Sequence, residues 1–518
     1  MMRQWIADCK HHHPKCPPFD HHWVPARLVE FYNKRGVQSV RLVETSDEFF
    51  RERRPFAALS HMWGDATVKP PLRTLTYNLR EFKEGIEISR VPKNFVEALE
   101  VAAQLGIPYV WIDSLCIVQD SSSDWEEQAK LMHMVYRYAD VTIVATAATS
   151  SHDGFLARDI EKIDSLRVRY STQTADPGCE KTDHYFVMSR LENSEDSHRM
   201  HAIDGAKWNT RGWTMQERSL STRSIHFCRN KIFFECRSCL KSEENEPTQE
   251  MELAGRLMWP RGRDLTMNYI YDYWELLLGE YCRRTLTKSS DKLAAIRSIA
   301  EEMKEVSGMD YISFAGMWRP YIQRELLWCV VPIGGDPVKP TEYRAPTWSW
   351  ASLEAYTNVP DSVLSGTKRT VPEHLAIWDN NPFEVLDLFE AQIGSIPGIR
   401  GCLKVRGLVK GIHSLQRTSN PGPYRRFYPS DLRLASGALG LFAYGKLDLD
   451  GETYRTRLLY LHVSHTSRIT GLILAECEGE KGLYVRVGIA SLFDDKSGQI
   501  LLETVFSADE KAEDIILI

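Results

Sequence analysis

Between residues 56 and 145, short apolar runs alternate with stretches of helical periodicity, and this alternation constrains the fold more than any other feature of the chain. Phe56–Ser60 is an apolar run of strand length. Residues 92–105 carry Phe95, Leu99, Ala102 and Leu105 at helical spacing, with Pro92 suited to a first turn and Gly106 to a stop. Residues 109–113 are too apolar for a half-exposed strand and read as central. Residues 124–138 form a second helix, with Trp125, Leu131, Met132, Val135 and Tyr136 on one face. Residues 141–145 are a third strand. Strand–helix–strand–helix–strand at these lengths predicts a parallel sheet with right-handed crossovers.

The remainder is organised around this core. Residues 1–55 read as an N-terminal segment with one short amphipathic helix around Trp5, and residues 56–245 as the α/β domain. Within the latter, a polar stretch at 160–200 reads as a loop-rich insertion. A helix holds Trp213–Leu220, and a hairpin pairs 225–227 with 231–235. Residues 246–335 read as helical, with helices at 269–278, 291–303 and 312–328. Residues 336–518 are a β-rich unit of short alternating strands.

At 518 residues the chain exceeds what one core needs. A net charge of −6 gives no basic field for nucleic acid. No apolar run reaches the roughly 18–20 residues of a membrane span, and the N-terminus lacks the apolar core of a signal peptide. Eleven cysteines, an odd number scattered without a dense framework, imply reduced thiols and a cytoplasmic setting.

In an open parallel sheet, ligands bind beyond the carboxyl ends of the strands. Ser60 ends the first strand and is followed by His61, Trp63 and Gly64; Asp113 ends the second and is followed by Ser114, Cys116, Gln119 and Asp120. Polar groups thus collect at one edge, as a site or as loop and helix caps. Gly-rich dinucleotide and phosphate loops, a Gly-x-Ser-x-Gly elbow and an HExxH helix are all absent from the sequence. Cys116 reads as a packed thiol, or as a nucleophile with His61 as its base.

Three ordered blocks carry a family resemblance: FAALSHMWGD at 56–65, YVWIDSLCIVQD at 109–120 and RGWTMQERSLSTR at 211–223. In these blocks the chain resembles the fungal heterokaryon-incompatibility (HET) domain. The first matches a strand ending Leu-Ser-Tyr-x-Trp-Gly, with His61 in place of the usual aromatic. Leu105-Gly106, Tyr109, Trp111, Asp113, Leu115-Cys116-Ile117 and Gln119 match the second, followed by Asp124-Trp125, Met132, Tyr136 and Ala139. Arg211, Trp213, Thr214, Gln216, Glu217, Leu220 and Arg223 match the third.

The resemblance implies a TIR- or flavodoxin-like α/β domain acting in non-self recognition and cell death. HET domains are held to be remote relatives of TIR domains, some of which cleave the nicotinamide–ribose bond of NAD⁺. That chemistry would need a carboxylate at the ribose. Glu126 and Glu127 follow Trp125 on a helix, as in TIR enzymes though not at the same offset, and Asp113 and Glu217 are the rivals. Glu217 can equally be an ion-pair partner of Arg211 or Arg223. Ser60, His61, Trp63, Gly64, Gln119, Arg211, Trp213 and Gln216 would line the nucleotide site. Two other readings stand beside this one: a non-catalytic module that binds a partner or self-assembles, and a scaffold recruited as a small-molecule enzyme.

Cys9, His13 and Cys16 supply three soft donors within eight residues, a set suited to structural zinc if a fourth arrives from elsewhere. Cys236 and Cys239 are the candidates for the fourth.

Overall fold

A computed structural model describes residues 1–16, 23–34, 37–45, 55–158, 165–171, 183–189, 199–243, 266–330, 337–354, 357–358, 383–394, 396–417, 430–434, 441–448, 457–465, 469–494, 505–506 and 509–518. The chain divides into two units, Met1–Asp264 and Leu265–Ile518.

The first unit is built on a nine-stranded mixed sheet. Its strands are β1 (Arg27–Lys34), β2 (Val37–Glu44), β3 (Phe56–Ser60), β4 (Ile86–Glu87), β5 (Tyr109–Trp111) and β6 (Val141–Val144). A separate two-stranded hairpin, β7 (Ser165–Ser171) and β8 (Asp183–Ser189), lies in the region read as loop-rich. The large sheet resumes with β9 (Arg223–Phe227), β10 (Ile232–Cys236) and β11 (Leu240–Ser242), in the order β11-β10-β9-β6-β3-β5-β1-β2-β4. Strands β5, β3, β6 and β9 run parallel; every other pairing is antiparallel. All four parallel strands are buried at every position, which explains the apolar character of β3, β5 and most of β6, whereas β9 buries Arg223, Ser224 and His226 as well.

Helix α1 (Met2–His12) buries Trp5, Ile6 and Cys9, and the Trp5 ring meets Phe234 of β10 at 6.0 Å. α2 (Lys93–Leu105) begins after Pro92 and ends at Gly106, whose φ of 81° closes the helix. Asp113 leaves the second strand at once and starts a single helical turn, α3 (Asp113–Cys116). α4 (Ser122–Tyr138) is capped by the Ser121 hydroxyl, which accepts from the Asp124 amide. It buries Met132, Val135 and Tyr136, while α5 (Trp213–Leu220) is buried from Thr214 onward.

The loops after β3 and β6 meet at Gly64. Its φ is 89°, and a β-carbon there would lie 2.5 Å from Ser150 Cβ. Gly64→Ala is therefore expected to cost roughly 2–4 kcal/mol, combining left-handed strain with overpacking. Urea unfolding would read this as a lowered midpoint; an unchanged midpoint would contradict the close approach.

In the second unit, α6 (Met267–Tyr281) and α7 (Ala294–Ser307) occupy two of the regions expected to be helical. The third expectation, one helix over 312–328, is replaced by a tight hairpin of Tyr311–Ile312 with Met317–Trp318 and a short helix, Ile322–Glu325. Gly316, at φ 67°, turns the hairpin where Leu293 and Trp350 leave no room for a side chain.

The β-rich part contains β12 (Glu384–Gln392), β13 (Ile399–Gly407), β14 (Val409–Arg417), β15 (Ser430–Leu434), β16 (Leu441–Leu447), β17 (Leu458–His465), β18 (Ile469–Glu476), β19 (Leu483–Asp494) and β20 (Glu513–Leu517). Their order is β12-β13-β20-β19-β16-β15-β14-β17-β18, and β18 pairs with β19 as well. Six strands therefore close on themselves, around a core that includes Tyr460, Ile469, Ile473, Val487 and Phe506. No helix among the described residues is long and apolar enough to cross a membrane.

Candidate functional site

The parallel strands bring three separated segments to their carboxyl edge. Ser60 is level with Val144 of β6, which is level with His226 of β9. Asp113 lies just beyond β5, and Glu217 enters from α5.

Ser60, wholly buried, donates its hydroxyl proton to the Glu217 carboxylate and accepts from Trp208 Nε1 at 2.7 Å. The Tyr136 hydroxyl also hydrogen-bonds Glu217. Burial pushes the Glu217 carboxyl up to about 7, and the nearby Asp113 charge adds to the shift. The Arg211 charge and the two hydroxyl bonds only partly oppose it. Burial likewise pushes the Tyr136 phenol well above its usual range, reinforced by the charge of Glu217.

Above this floor, Asp113 is partly accessible, with 23% of its side chain exposed. Trp63 Nε1 donates to its Oδ2 at 2.7 Å, and the Ser114 amide to its Oδ1 at 2.7 Å. His61 lies buried beside it, with Nδ1 4.0 Å from Oδ1 and its ring edge-on to Phe95. Neither His61 nitrogen has a hydrogen-bond partner among the described residues. Burial pushes its pKa down to about 4 although Asp113 pulls it up, so the ring is neutral at physiological pH. Arg211 holds the loop by donating to the His61 carbonyl at 2.8 Å. Trp213 meets Trp125 edge-on, and both are half-buried.

The other expected site residues stand outside the hydrogen bonds of the Ser60–Glu217 network. Glu126 and Glu127 are exposed on α4, in contrast to the buried Glu217 network. Cys116 is buried, its Sγ accepts from the Ile112 amide at 3.4 Å, and burial pushes its thiol up to about 12. A thiol held protonated is a packing group and a poor nucleophile. Gln119 donates to the carbonyls of Asp113 and Ile117, bracing the loop. Gln216 is buried, with its amide nitrogen 3.9 Å from Met132 Sδ.

Two members of the cluster, Tyr136 and Trp208, were not singled out as site residues from the sequence. Tyr136 reads only as part of a buried helix face, and Trp208 joins the cluster through tertiary packing. Arg27 is a further case: it clamps Asp124 through one nitrogen 2.6 Å from each carboxylate oxygen and donates to the Cys116 carbonyl, fixing the loop that carries Asp113.

The metal candidates lie at the opposite end of the strands. Cys236 pairs with Arg223 at the start of β9, the amino edge of the parallel strands. Donor atoms of Cys9, His13, Cys16 and Cys236 all lie within 4.8 Å of one another.

Comparison with known proteins bears on residues 56–217, which match the family model described as "Heterokaryon incompatibility protein (HET)". "Vegetative incompatibility protein HET-E-1" of Podospora anserina is 23% identical over 261 residues. That match covers 46% of this chain and 16% of the relative's length. No solved structure matches the chain at a significant level.

Proposed function

Given that the chain carries a heterokaryon-incompatibility domain at residues 56–217, we propose that it acts in vegetative incompatibility by cleaving the nicotinamide–ribose bond of NAD⁺ at the carboxyl edge of its parallel strands. The observation that carries the reading is Asp113, a partly accessible carboxylate fixed by Trp63 above a buried Glu217. A carboxylate so placed stabilises an oxocarbenium-like ribose without reorganising as charge develops. The C–N bond breaks with its electron pair passing to the pyridinium nitrogen. Water adds at the anomeric carbon and loses its proton, giving ADP-ribose, nicotinamide and one proton. Trp63, Trp125 and Trp213 offer aromatic surface for the bases, and His61 holds unused hydrogen-bonding capacity beside the carboxylate.

Asp113→Asn is the decisive variant, because the amide oxygen can still accept from Trp63 while the charge is lost. Nicotinamide release by the purified protein is expected to fall roughly 100-fold or more. Undiminished release from the folded variant would remove Asp113 from the reaction. Absence of release from the unaltered protein at all concentrations would end the NAD⁺ reading.

A further inference from the structure

We propose that Cys9, His13, Cys16 and Cys236 bind one structural zinc ion that staples α1 to the β10–β11 hairpin. The inference is independent of the nucleotide chemistry, since the cluster occupies the other edge of the sheet.

Three features of the sequence assemble the cluster. Cys9 sits in the last turns of α1 and faces inward, fully buried. The helix stops at His12 ahead of Pro14, and the His13 amide closes back on the Cys9 carbonyl at 3.3 Å. A turn then forms, with the Cys16 amide donating to the His13 carbonyl at 2.9 Å, and it returns Cys16 to the same face. The fourth donor comes from more than two hundred residues away: Cys236 ends β10, also fully buried.

The donor geometry suits a tetrahedral ion. With Zn–S near 2.3 Å and Zn–N near 2.0 Å, neighbouring donors of a tetrahedral site stand about 3.5–3.8 Å apart. Here Cys236 Sγ is 3.3 Å from His13 Nδ1, and the whole set fits within 4.8 Å. Three thiolates and an imidazole are soft donors that favour zinc over magnesium or calcium. Four protein donors leave no open position, which is the composition of a structural rather than a catalytic site. The surroundings also suit thiolates. The Ser238 amide donates to Cys236 Sγ at 3.5 Å, and Arg223 Nε donates to Cys9 Sγ at 3.2 Å. Arg223 thereby places a positive charge beside a site that would carry a net charge of −1.

Cys239 is the rival fourth thiol: its sulfur is 3.6 Å from Cys236 Sγ, but the four donors that lie within 4.8 Å of one another are Cys9, His13, Cys16 and Cys236.

The test is zinc content by elemental analysis of the full chain purified without added metal, with thiols counted under denaturing conditions. The expected result is about one zinc per chain, lost from Cys16→Ser and Cys236→Ser. His13→Cys, which preserves a four-donor set, and Cys239→Ser are expected to retain it. Cobalt substitution should give the d–d bands of a tetrahedral thiolate site, which reports the ligands without relying on activity. A metal-free protein that does not take up added zinc, or whose cysteines here are joined as disulfides, would overturn the proposal. Zinc retained by His13→Ala but lost from Cys239→Ser would overturn the ligand assignment.

Discussion

Glu235→Ala is expected to lower the free energy of unfolding by about 3–5 kcal/mol, the range for breaking a buried ion pair from one side. Glu235 is fully buried at the centre of a network. Arg218 Nε and Nη2 each lie 2.9 Å from one of its carboxylate oxygens, and His226 Nε2 lies 3.0 Å away. Arg218 also reaches Asp204 at 2.5 Å. Burial alone would push the Glu235 carboxyl up, but the Arg218 charge and the His226 bond outweigh it and hold it at about 2. Removing the carboxylate leaves a buried guanidinium with only Asp204 and deprives His226 of its bond. Urea denaturation, followed by far-ultraviolet circular dichroism, measures the loss. A decrease below about 1 kcal/mol would mean that solvent reaches Arg218 after all. Pairing the change with Arg218→Met should recover part of the stability, because the only charge left without its partner is then Asp204, which is 32% exposed and can be solvated.

The second large effect is a pH dependence carried by Glu217. Its pKa rises from 4.5 to about 7 on folding, so between these values the unfolded chain releases a proton that the folded chain keeps. Stability from this group is fully present below about pH 4.5 and is lost as pH rises through 7. The shift of about 2.5 units corresponds to about 3 kcal/mol. Glu217→Gln cannot titrate, yet its amide oxygen can still accept the Ser60 hydroxyl proton. The stability of the unaltered protein minus that of the variant should therefore fall by about 3 kcal/mol across this window. Urea midpoints at a series of pH values give this difference directly. A difference that does not change with pH would place the Glu217 carboxylate in contact with water.

Much of the α/β core was legible because its signals are local. Residues 56–60 and 141–144 announce central strands by being apolar at nearly every position, Ser60 and Thr142 excepted, and Pro92 and Gly106 bracket a helix by backbone chemistry alone. The 312–328 error has a physical origin: its apolar residues fall at helical spacing, but Gly316 turns where Trp350 and Leu293 crowd it. A pattern of side chains could not reveal that crowding. In the site, Ser60 and Asp113 were visible because strand ends are visible. The rest of the Glu217 network was not, since Tyr136, which bonds Glu217, and Trp208, which bonds Ser60, lie 81 and 9 residues before Glu217 in sequence and join it only through packing. Glu126 and Glu127 drew attention through the resemblance of their helix, and the structure places them exposed in its early turns.

The sheet also shows that what is shared with relatives and what folds together have different borders. The family match begins at residue 56 and ends at 217. Strands β1 and β2 lie before it and β9, β10 and β11 after it, so five of the nine strands fall outside. A fragment trimmed to the matching stretch would bare the backbone of β5 along one border and of β6 along the other. Two raw, hydrophobic strand borders are templates for pairing with other copies. Any toxicity or clumping displayed by such a fragment would report on the cut rather than on the biology, and dissection of this half of the chain should keep residues 1–243 together.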